Sequence, residues 1–198
     1  MKKLAWNQLF IGLLVEVGSI SFYRFIQKSA PGKYDFMTQL DVAIPFIPEW
    51  IWIYVSILPI FLYAALTLQK ELFHSTLKRV VVAHFLSYPF FFLLPSNYPR
   101  PSIEHLSAFY NWGYGVMHTI DNVNNTFPSL HVSITWVICH MLKRNGMRGW
   151  MAYGYAVIIS ASTLFTKQHY VVDVLGGVLI FLVTLTLINF KQKTIHET

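Results

Sequence analysis

Residues Val171–Phe190 read VVDVLGGVLIFLVTLTLINF, an almost uncharged stretch whose length suits a membrane-spanning helix. The hydrocarbon core of a bilayer requires about 20 predominantly apolar residues in one helix. Comparable stretches lie along the rest of the chain, at about Leu4–Phe25, Trp50–Leu68, Val80–Leu94, Ser129–Leu142 and Trp150–Phe165. The sequence therefore predicts an all-α fold, a six-helix transmembrane bundle in which residues 1–198 form a single integral membrane domain.

The composition of the chain also indicates a membrane protein. Hydrophobic residues make up 55% of the 198 residues and charged residues only 12%, a balance more apolar than that of ordinary globular domains. The net charge of +6 comes from short clusters between apolar segments, so we expect no nucleic-acid partner. The single cysteine, Cys139, excludes an internal disulfide and a multi-cysteine metal site, and its apolar neighbours suggest a buried position.

The distribution of lysine and arginine predicts the orientation of the chain. If the N-terminus is inside, ten of the 15 Lys and Arg residues fall in inside segments and five in outside segments. Positive residues favour the cytoplasmic side, so we expect both termini in the cytoplasm. The connection from Pro95 to Pro128 and the loop around Lys167 then lie on the outer side. These two segments hold the unusual polar residues, and we therefore expect an outward-facing functional site.

Two histidines are the most informative polar residues. His169 precedes Asp173 by four residues, a spacing that places both side chains on one face of a helix, where the carboxylate can accept the imidazole N–H and fix its tautomer. The other ring nitrogen is then free to attack. His131 follows Pro128-Ser129, which resembles a helix start, and the N–H groups and positive dipole end of a helix favour phosphate there. A helical hairpin between the two histidines returns them to the same side, where together they predict a phosphoryl-transfer site.

Three motifs, in their order along the chain, resemble the signature motifs of the type-2 phosphatidic acid phosphatase superfamily. They are Arg100-Pro101, Pro128-Ser129-Leu130-His131, and Ser162 with His169 and Asp173. The Ser-Leu-His form of the second motif and the stretch from Ser162 to Tyr170 look closest to the branch that includes inositol phosphorylceramide synthase-like proteins. Together with the six predicted spans, the resemblance covers nearly the whole chain.

The resemblance implies a role for each motif residue. His169 matches the histidine that attacks phosphorus and forms a phosphohistidine intermediate. Asp173 matches the acid that orients this histidine, and His131 matches the general acid that protonates the leaving oxygen. The positions that match phosphate binders are Arg100, Ser129 and Leu130.

Two positions depart from the family pattern. The lysine seven residues before the Arg-Pro pair is Leu93 here, and the arginine six residues before the nucleophile is Thr163. Lys167, two residues before His169, is the natural substitute as a phosphate-binding cation, because the charge on a transferring phosphoryl group needs cationic and N–H donors.

Other polar residues have two interpretations. Asp121, Asn122 and Asn125 precede the second motif, and they either contact a lipid headgroup or form turns. Glu16 and His84 interrupt apolar stretches, and a satisfied interhelical hydrogen bond is a simpler explanation for them than a place in a cavity.

The residues and the resemblance together predict a metal-independent lipid phosphate phosphatase that needs no cofactor and hydrolyses a phosphomonoester or diphosphate lipid. Its expected partners are a lipid phosphate substrate and membrane lipids, and the sequence leaves the oligomeric state open. One alternative is a phosphotransferase that moves a phospho-headgroup from a lipid donor to an alcohol acceptor, and another is a non-enzymatic lipid-binding or transport protein. A di-haem protein is disfavoured, because haem ligation needs histidines on facing helices at membrane depth, whereas His131 and His169 are expected at one face.

Overall fold

The computed structural model describes the backbone of residues 2–120 and 124–196 and the side chains of residues 6–118 and 124–188. Within these ranges the chain is all-α, as predicted, and forms no strand. The helices are α1 (Lys2–Ser29), α2 (Gln39–Ala43), α3 (Ile51–Val55), α4 (Ile57–Thr67), α5 (Lys70–Leu93), α6 (Ala108–Ile120), α7 (Leu130–Arg144), α8 (Gly149–Phe165) and α9 (Val171–His196). A single 3₁₀ turn, Pro48–Trp50, precedes α3.

Three stretches of the described helices are long and apolar enough to cross a membrane: Trp6–Ser29, Pro48–Thr67 and Val171–Ile188. They indicate a membrane protein. Each of the six predicted spans coincides with helical residues, but α8 is apolar and shorter, and α7 has only 15 residues. The first half of α5 carries four charged side chains, Lys70, Glu71, Lys78 and Arg79. Six membrane crossings therefore stay a prediction.

The helix boundaries differ from the predicted ones in two places. The stretch predicted as Trp50–Leu68 is divided between α3 and α4 at Ser56. Pro59 explains the division, because proline has no N–H to donate to the Val55 carbonyl and its ring clashes with that group. The helix predicted at Val80–Leu94 instead begins at Lys70, and Pro89 lies inside it.

The segment predicted as a connection from Pro95 to Pro128 contains the helix α6, which the sequence analysis missed. Tyr114 and Met117 of α6 are buried against Ile51 and Tyr54 of α3. Two glycines, at positions 113 and 115, lower the intrinsic helix propensity of this segment and obscured it. Packing against α3 supplies the stabilisation that the local sequence lacks.

Helix α7 is the centre of the fold, because it packs against α4, α5, α8 and α9. Its Val137, Ile138 and Met141 side chains are completely buried in the main hydrophobic core. Cys139 is buried too, as expected. Neighbouring helices on several sides hold α7 in place. The start of α7, where His131 lies, is consequently a well-supported position for a functional residue.

The starts of α7 and α9 are in direct contact. The Ser129 N–H donates to the Asp173 carbonyl at 3.0 Å. Gly177 permits this approach, because a Cβ atom there would lie 2.7 Å from the Ser129 carbonyl oxygen and 2.8 Å from Val132 Cβ. Both distances are shorter than real Cβ contacts. Any side chain at this position would push the two helices apart.

We expect the Gly177→Ala variant to be less stable than the parent by about 1–3 kcal/mol, the usual cost of overpacking. Gly154→Ala in α8 is the matched control, since a Cβ there meets nothing within 4 Å and alanine is the better helix former. Thermal unfolding in detergent measures both. Equal midpoints for the Gly177 variant and the parent would contradict the tight contact between α7 and α9.

Candidate active site

His169 and Asp173 form a hydrogen-bonded pair at the start of α9. The His169 Nδ1 atom lies 3.2 Å from Asp173 Oδ2, and the same oxygen accepts the Tyr170 N–H at 2.9 Å. We predicted that His169 and Asp173 share one face of a helix. His169 instead lies just before α9, which begins at Val171, so only Asp173 is helical. The pair forms because a first-turn carboxylate reaches back over the helix start, as in a capping box.

The second ring nitrogen of His169 is available for chemistry. Because Nδ1 contacts a carboxylate, which only accepts hydrogen bonds when ionised, Nδ1 carries the proton and Nε2 holds a lone pair. His169 is 5% exposed, and its Nε2 is buried without a hydrogen-bond partner among the described residues. A buried, oriented and unpartnered imidazole nitrogen is suited to nucleophilic attack.

The structure brings the rings of His131 and His169 close together. His131 is the second residue of α7, and Ser129 caps the helix by accepting the Val132 N–H at 3.3 Å. The rings of His131 and His169 have their centroids 6.0 Å apart. Leu130, the first residue of α7, contributes a backbone N–H that has no acceptor within the helix. A phosphate between the histidines would therefore meet the positive end of α7.

Tyr54 is a site residue that sequence reasoning missed. Its hydroxyl lies 3.1 Å from His131 Nδ1, and the two rings are in contact, tilted by 30° with their centroids 4.4 Å apart. This contact involves Nδ1, one of the two ring nitrogens of His131. Nothing in the sequence marks Tyr54 among the many aromatic residues of this stretch, because only the tertiary fold brings α3 against the start of α7.

Asp41 holds the loop that precedes α9. Its Oδ1 accepts the Val171 N–H at 2.7 Å, and its Oδ2 accepts the Thr38 N–H at 2.8 Å. The carbonyl oxygen of Asp41 accepts a hydrogen bond from Lys167 Nζ at 2.6 Å. Asp41 is 2% exposed, so these bonds are shielded from water. A sequence signal was present, since Thr38 and Asp41 form a capping box for α2.

Lys167, the predicted replacement cation, lies in this loop with φ at 54°. Burial lowers the pKa of its ammonium group, and the nearby Asp41 carboxylate opposes this effect. The backbone of Thr163, where the family has an arginine, supports the same loop, because its carbonyl oxygen accepts the N–H groups of Gln168 at 3.0 Å and His169 at 3.2 Å.

The segment that carries Arg100 lies against the same end of α9. The rings of Tyr98 and Tyr170 are 4.4 Å apart, and the Tyr170 hydroxyl donates to Asp35 Oδ1 at 2.8 Å. Burial, and then the hydrogen bond to Asp35, raise the pKa of Tyr170 far above its ordinary value. Arg100 is half-buried and follows Tyr98 by two residues. Its guanidinium is thus carried by a segment anchored beside His169.

Asn125 is the described member of the predicted headgroup residues, since Asp121 and Asn122 lie outside the described residues. Asn125 has φ at 77° and is 4% exposed. Neither its Nδ2 nor its Oδ1 has a hydrogen-bond partner among the described residues. Buried polar atoms are almost always paired, so the unpartnered Asn125 amide is an exception that has donor and acceptor capacity to spare.

Asn125 and both histidines line one cavity of about 360 Å³. Most of its remaining wall is apolar and comes from α1, α4, α5 and α7. The structure thus joins a polar end, suited to phosphate, to an apolar chamber. Among the described residues, no group of three or more His, Cys, Asp or Glu side chains is placed to hold a metal ion.

No curated protein and no solved structure matches the chain. A sequence model of the PAP2 superfamily does match, over residues 37–187. These residues include Arg100, the His131 helix start and the His169–Asp173 pair, and they make up most of the chain, which therefore belongs to the PAP2 superfamily.

Proposed function

We propose that this protein is a membrane-embedded lipid phosphate phosphatase that hydrolyses a phosphomonoester or diphosphate lipid through a phosphohistidine intermediate. The observation that carries the proposal is the unpartnered Nε2 of His169, a residue that hydrogen-bonds Asp173 through Nδ1 and lines a largely apolar cavity. Membership in the PAP2 superfamily supports this class of activity.

In the first step, His169 Nε2 attacks phosphorus and the bond from phosphorus to the lipid oxygen breaks. His131 gives a proton to that oxygen, so the lipid alcohol leaves neutral and the phosphoryl group stays on His169. The Asp173 carboxylate stabilises the charge that develops on the attacked ring. In the second step, water attacks phosphorus and His131 takes a proton from the water. The bond from phosphorus to His169 Nε2 breaks, its electron pair returns to the ring nitrogen, and inorganic phosphate leaves.

We assign the phosphate oxygens to Arg100, Ser129, Lys167 and the first-turn N–H groups of α7, beginning with Leu130. Arg100 can hold two oxygens at once, since a guanidinium presents a planar fork of donors. One hydrogen of the Lys167 ammonium is occupied by the Asp41 carbonyl, and two remain for phosphate. These donors supply the positive field that phosphoryl transfer requires. The activity is therefore expected to need no metal and no cofactor.

We further propose six membrane spans with both termini in the cytoplasm and the site on the outer side. The count of lysine and arginine supports this orientation. The residues 1–198 would then form one membrane domain in which lipid reaches the histidines from the outer leaflet.

A phosphotransferase of the inositol phosphorylceramide synthase-like branch is the second candidate. It would use the same first step, after which an alcohol replaces water. Asn125 favours it, because an amide donor and an amide acceptor, both unpartnered and beside the two histidines, complement the hydroxyl groups of a polyol. The departures at Leu93 and Thr163 also separate the chain from the commoner hydrolase pattern.

Both candidates can be tested with purified protein, a panel of lipid phosphates, and alcohol acceptors added or omitted. We expect release of inorganic phosphate without acceptor, unchanged by EDTA. New phospholipid products without phosphate release would instead favour the phosphotransferase. The absence of both products over the whole panel would leave a non-enzymatic lipid-binding or transport protein.

Tyr54→Phe keeps the ring that contacts His131 and removes the hydroxyl. We expect kcat to fall up to about tenfold, the effect of one lost hydrogen bond, with little change in KM. The alkaline side of the pH profile, where His131 loses the proton it donates, should move, while the acid side stays in place. Tyr63→Phe on the exposed face of α4 is the control. Superimposable profiles for Tyr54→Phe and the parent would contradict a positioning role for Tyr54.

A further inference from the structure

Two polar residues lie in the apolar part of the cavity at the same depth. Tyr23 of α1 and Phe91 of α5 meet at its outer end, with ring centroids 5.6 Å apart. Glu16 and His84 each precede one of these rings by seven residues and also line the cavity. Seven residues of helix rise about 10 Å. Glu16 and His84 therefore lie about 10 Å inward from the aromatic pair, on neighbouring helices.

The aromatic pair marks the level of the catalytic histidines. Tyr23 and Leu130, the residue next to His131, both pack against the cluster that contains Phe91. A Cβ at Gly12 would lie 3.6 Å from Phe73, and the rings of Phe22 and Tyr88 are 4.9 Å apart. The contacts thus advance together along both helices, so α1 and α5 run side by side in the same direction. A lipid chain whose phosphate lies at the two histidines would thus pass Glu16 and His84 at a point about 10 Å from that phosphate.

Both polar groups can accept a hydrogen bond from such a chain. His84 Nδ1 lies 2.9 Å from the Val80 carbonyl, which only accepts, so Nδ1 is the donor and Nε2 of the neutral ring is an acceptor. The Glu16 Oε1 atom is buried without a hydrogen-bond partner among the described residues. Unpartnered polar atoms in apolar surroundings are costly, and ionisable residues at membrane depth are usually functional.

The cavity is accessible from the side of the bilayer. Leu13 and Val17 of α1 and Leu58 of α4 line it and are 49%, 62% and 68% exposed. These exposed apolar side chains lie on helices that are long and apolar enough to face lipid. A lipid chain can consequently enter between α1 and α4 while its phosphate stays at the histidines.

We propose that this cavity binds a lipid chain that carries a hydroxyl or an amide N–H about 10 Å from its phosphate, and that Glu16 and His84 select this group. The inference rests on the proposed function, which it narrows to lipid phosphates with a hydrogen-bond donor in the chain region. Chains without such a donor would leave the Glu16 oxygen unpaired and bind more weakly.

The test uses straight-chain alkyl phosphonates, which the enzyme cannot hydrolyse, with no hydroxyl or with one hydroxyl at successive positions. Dissociation constants are measured with purified protein in detergent. A hydroxyl at about 10 Å from phosphorus should tighten binding about tenfold over the plain chain, as expected for one or two hydrogen bonds, and hydroxyls nearer or farther should not. This scan uses the parent protein alone.

Variants then locate the effect. In Glu16→Leu and in His84→Phe, the tenfold preference should shrink to about twofold or less, with the plain chain bound as well as before. Glu16→Gln keeps an acceptor oxygen and should preserve most of the preference. Phe10→Leu, on the same helix but outside the cavity and 64% exposed, is the control for membrane and detergent effects.

Three results would overturn the proposal: equal or tighter binding of the plain chain by the parent, a preference that survives in both variants, or no binding of any phosphonate. The proposed function fails separately. If the protein prefers the hydroxylated phosphonate but releases phosphate from no lipid phosphate, the phosphatase proposal is refuted and the chain selectivity stands. If it releases phosphate but shows no such preference, the chain selectivity is refuted and the phosphatase proposal stands.

Discussion

Replacing His169 by alanine is expected to lower kcat for phosphate release by at least about 10⁴-fold, because the atom that attacks phosphorus is removed. The loss should appear in kcat with every substrate that the parent accepts. It should be accompanied by the loss of an acid-labile phosphoenzyme, which the parent forms when it is mixed rapidly with substrate and quenched. Phosphate release and trapped phosphoenzyme are the two measurements.

Two variants make this result specific. His105→Ala removes an exposed histidine from the segment between α5 and α6 and should leave the rate unchanged. Asp173→Asn keeps a side-chain oxygen for the Tyr170 N–H but weakens the orientation of His169, so we expect an intermediate loss. Parent-like activity in a folded His169→Ala variant would remove His169 as the nucleophile.

Replacing His131 by alanine is expected to lower kcat by about 10²–10⁴-fold for a lipid phosphate, the usual contribution of a general acid. An alkoxide is a poor leaving group and needs the proton that His131 donates. A nitrophenolate leaves without protonation, so the first step with a nitrophenyl phosphate should be much less affected. Rapid-mixing measurements of the two substrates separate the leaving-group step from later hydrolysis.

Comparing the two leaving groups, the lipid alkoxide and nitrophenolate, tests whether His131 is a general acid. If His131 only positioned phosphate, both substrates would lose the same factor, and the role as general acid would be wrong. Because His131 also takes the proton from water in the second step, the phosphoenzyme should persist longer in His131→Ala than in the parent. His105→Ala again serves as the control.

The sequence predicted the helical class and the positions of most helices, because apolar stretches of the required length are a local property. It missed α6, since glycines 113 and 115 weaken the local helical signal and the buried contacts of Tyr114 with α3 are not local. It also missed the division at Ser56, although Pro59 was visible. The PAP2 superfamily was predicted from three short motifs, and the match over residues 37–187 confirms it.

The candidate site was predictable to the extent that its geometry is local. The spacing of His169 and Asp173 predicted their contact correctly, but the contact forms across a helix start and not along a helix. The loop bonds of Asp41 and Lys167 connect residues far apart in the chain, and no spacing rule predicts them. For Glu16 and His84, the sequence favoured an interhelical hydrogen bond over a place in a cavity. The structure shows that both residues line the cavity.

The sequence by itself determined a helical membrane protein in which His169 contacts Asp173 and His131 lies at a helix start, because apolar length, capping and four-residue spacing act through neighbouring residues. Tertiary structure alone decided that His131 meets His169 and Tyr54 and that Asp41 meets the loop before α9. It also decided that Glu16 and His84 line one cavity. The physical reason is that these contacts depend on how separate helices pack, and this packing is set by the buried surfaces of the whole chain.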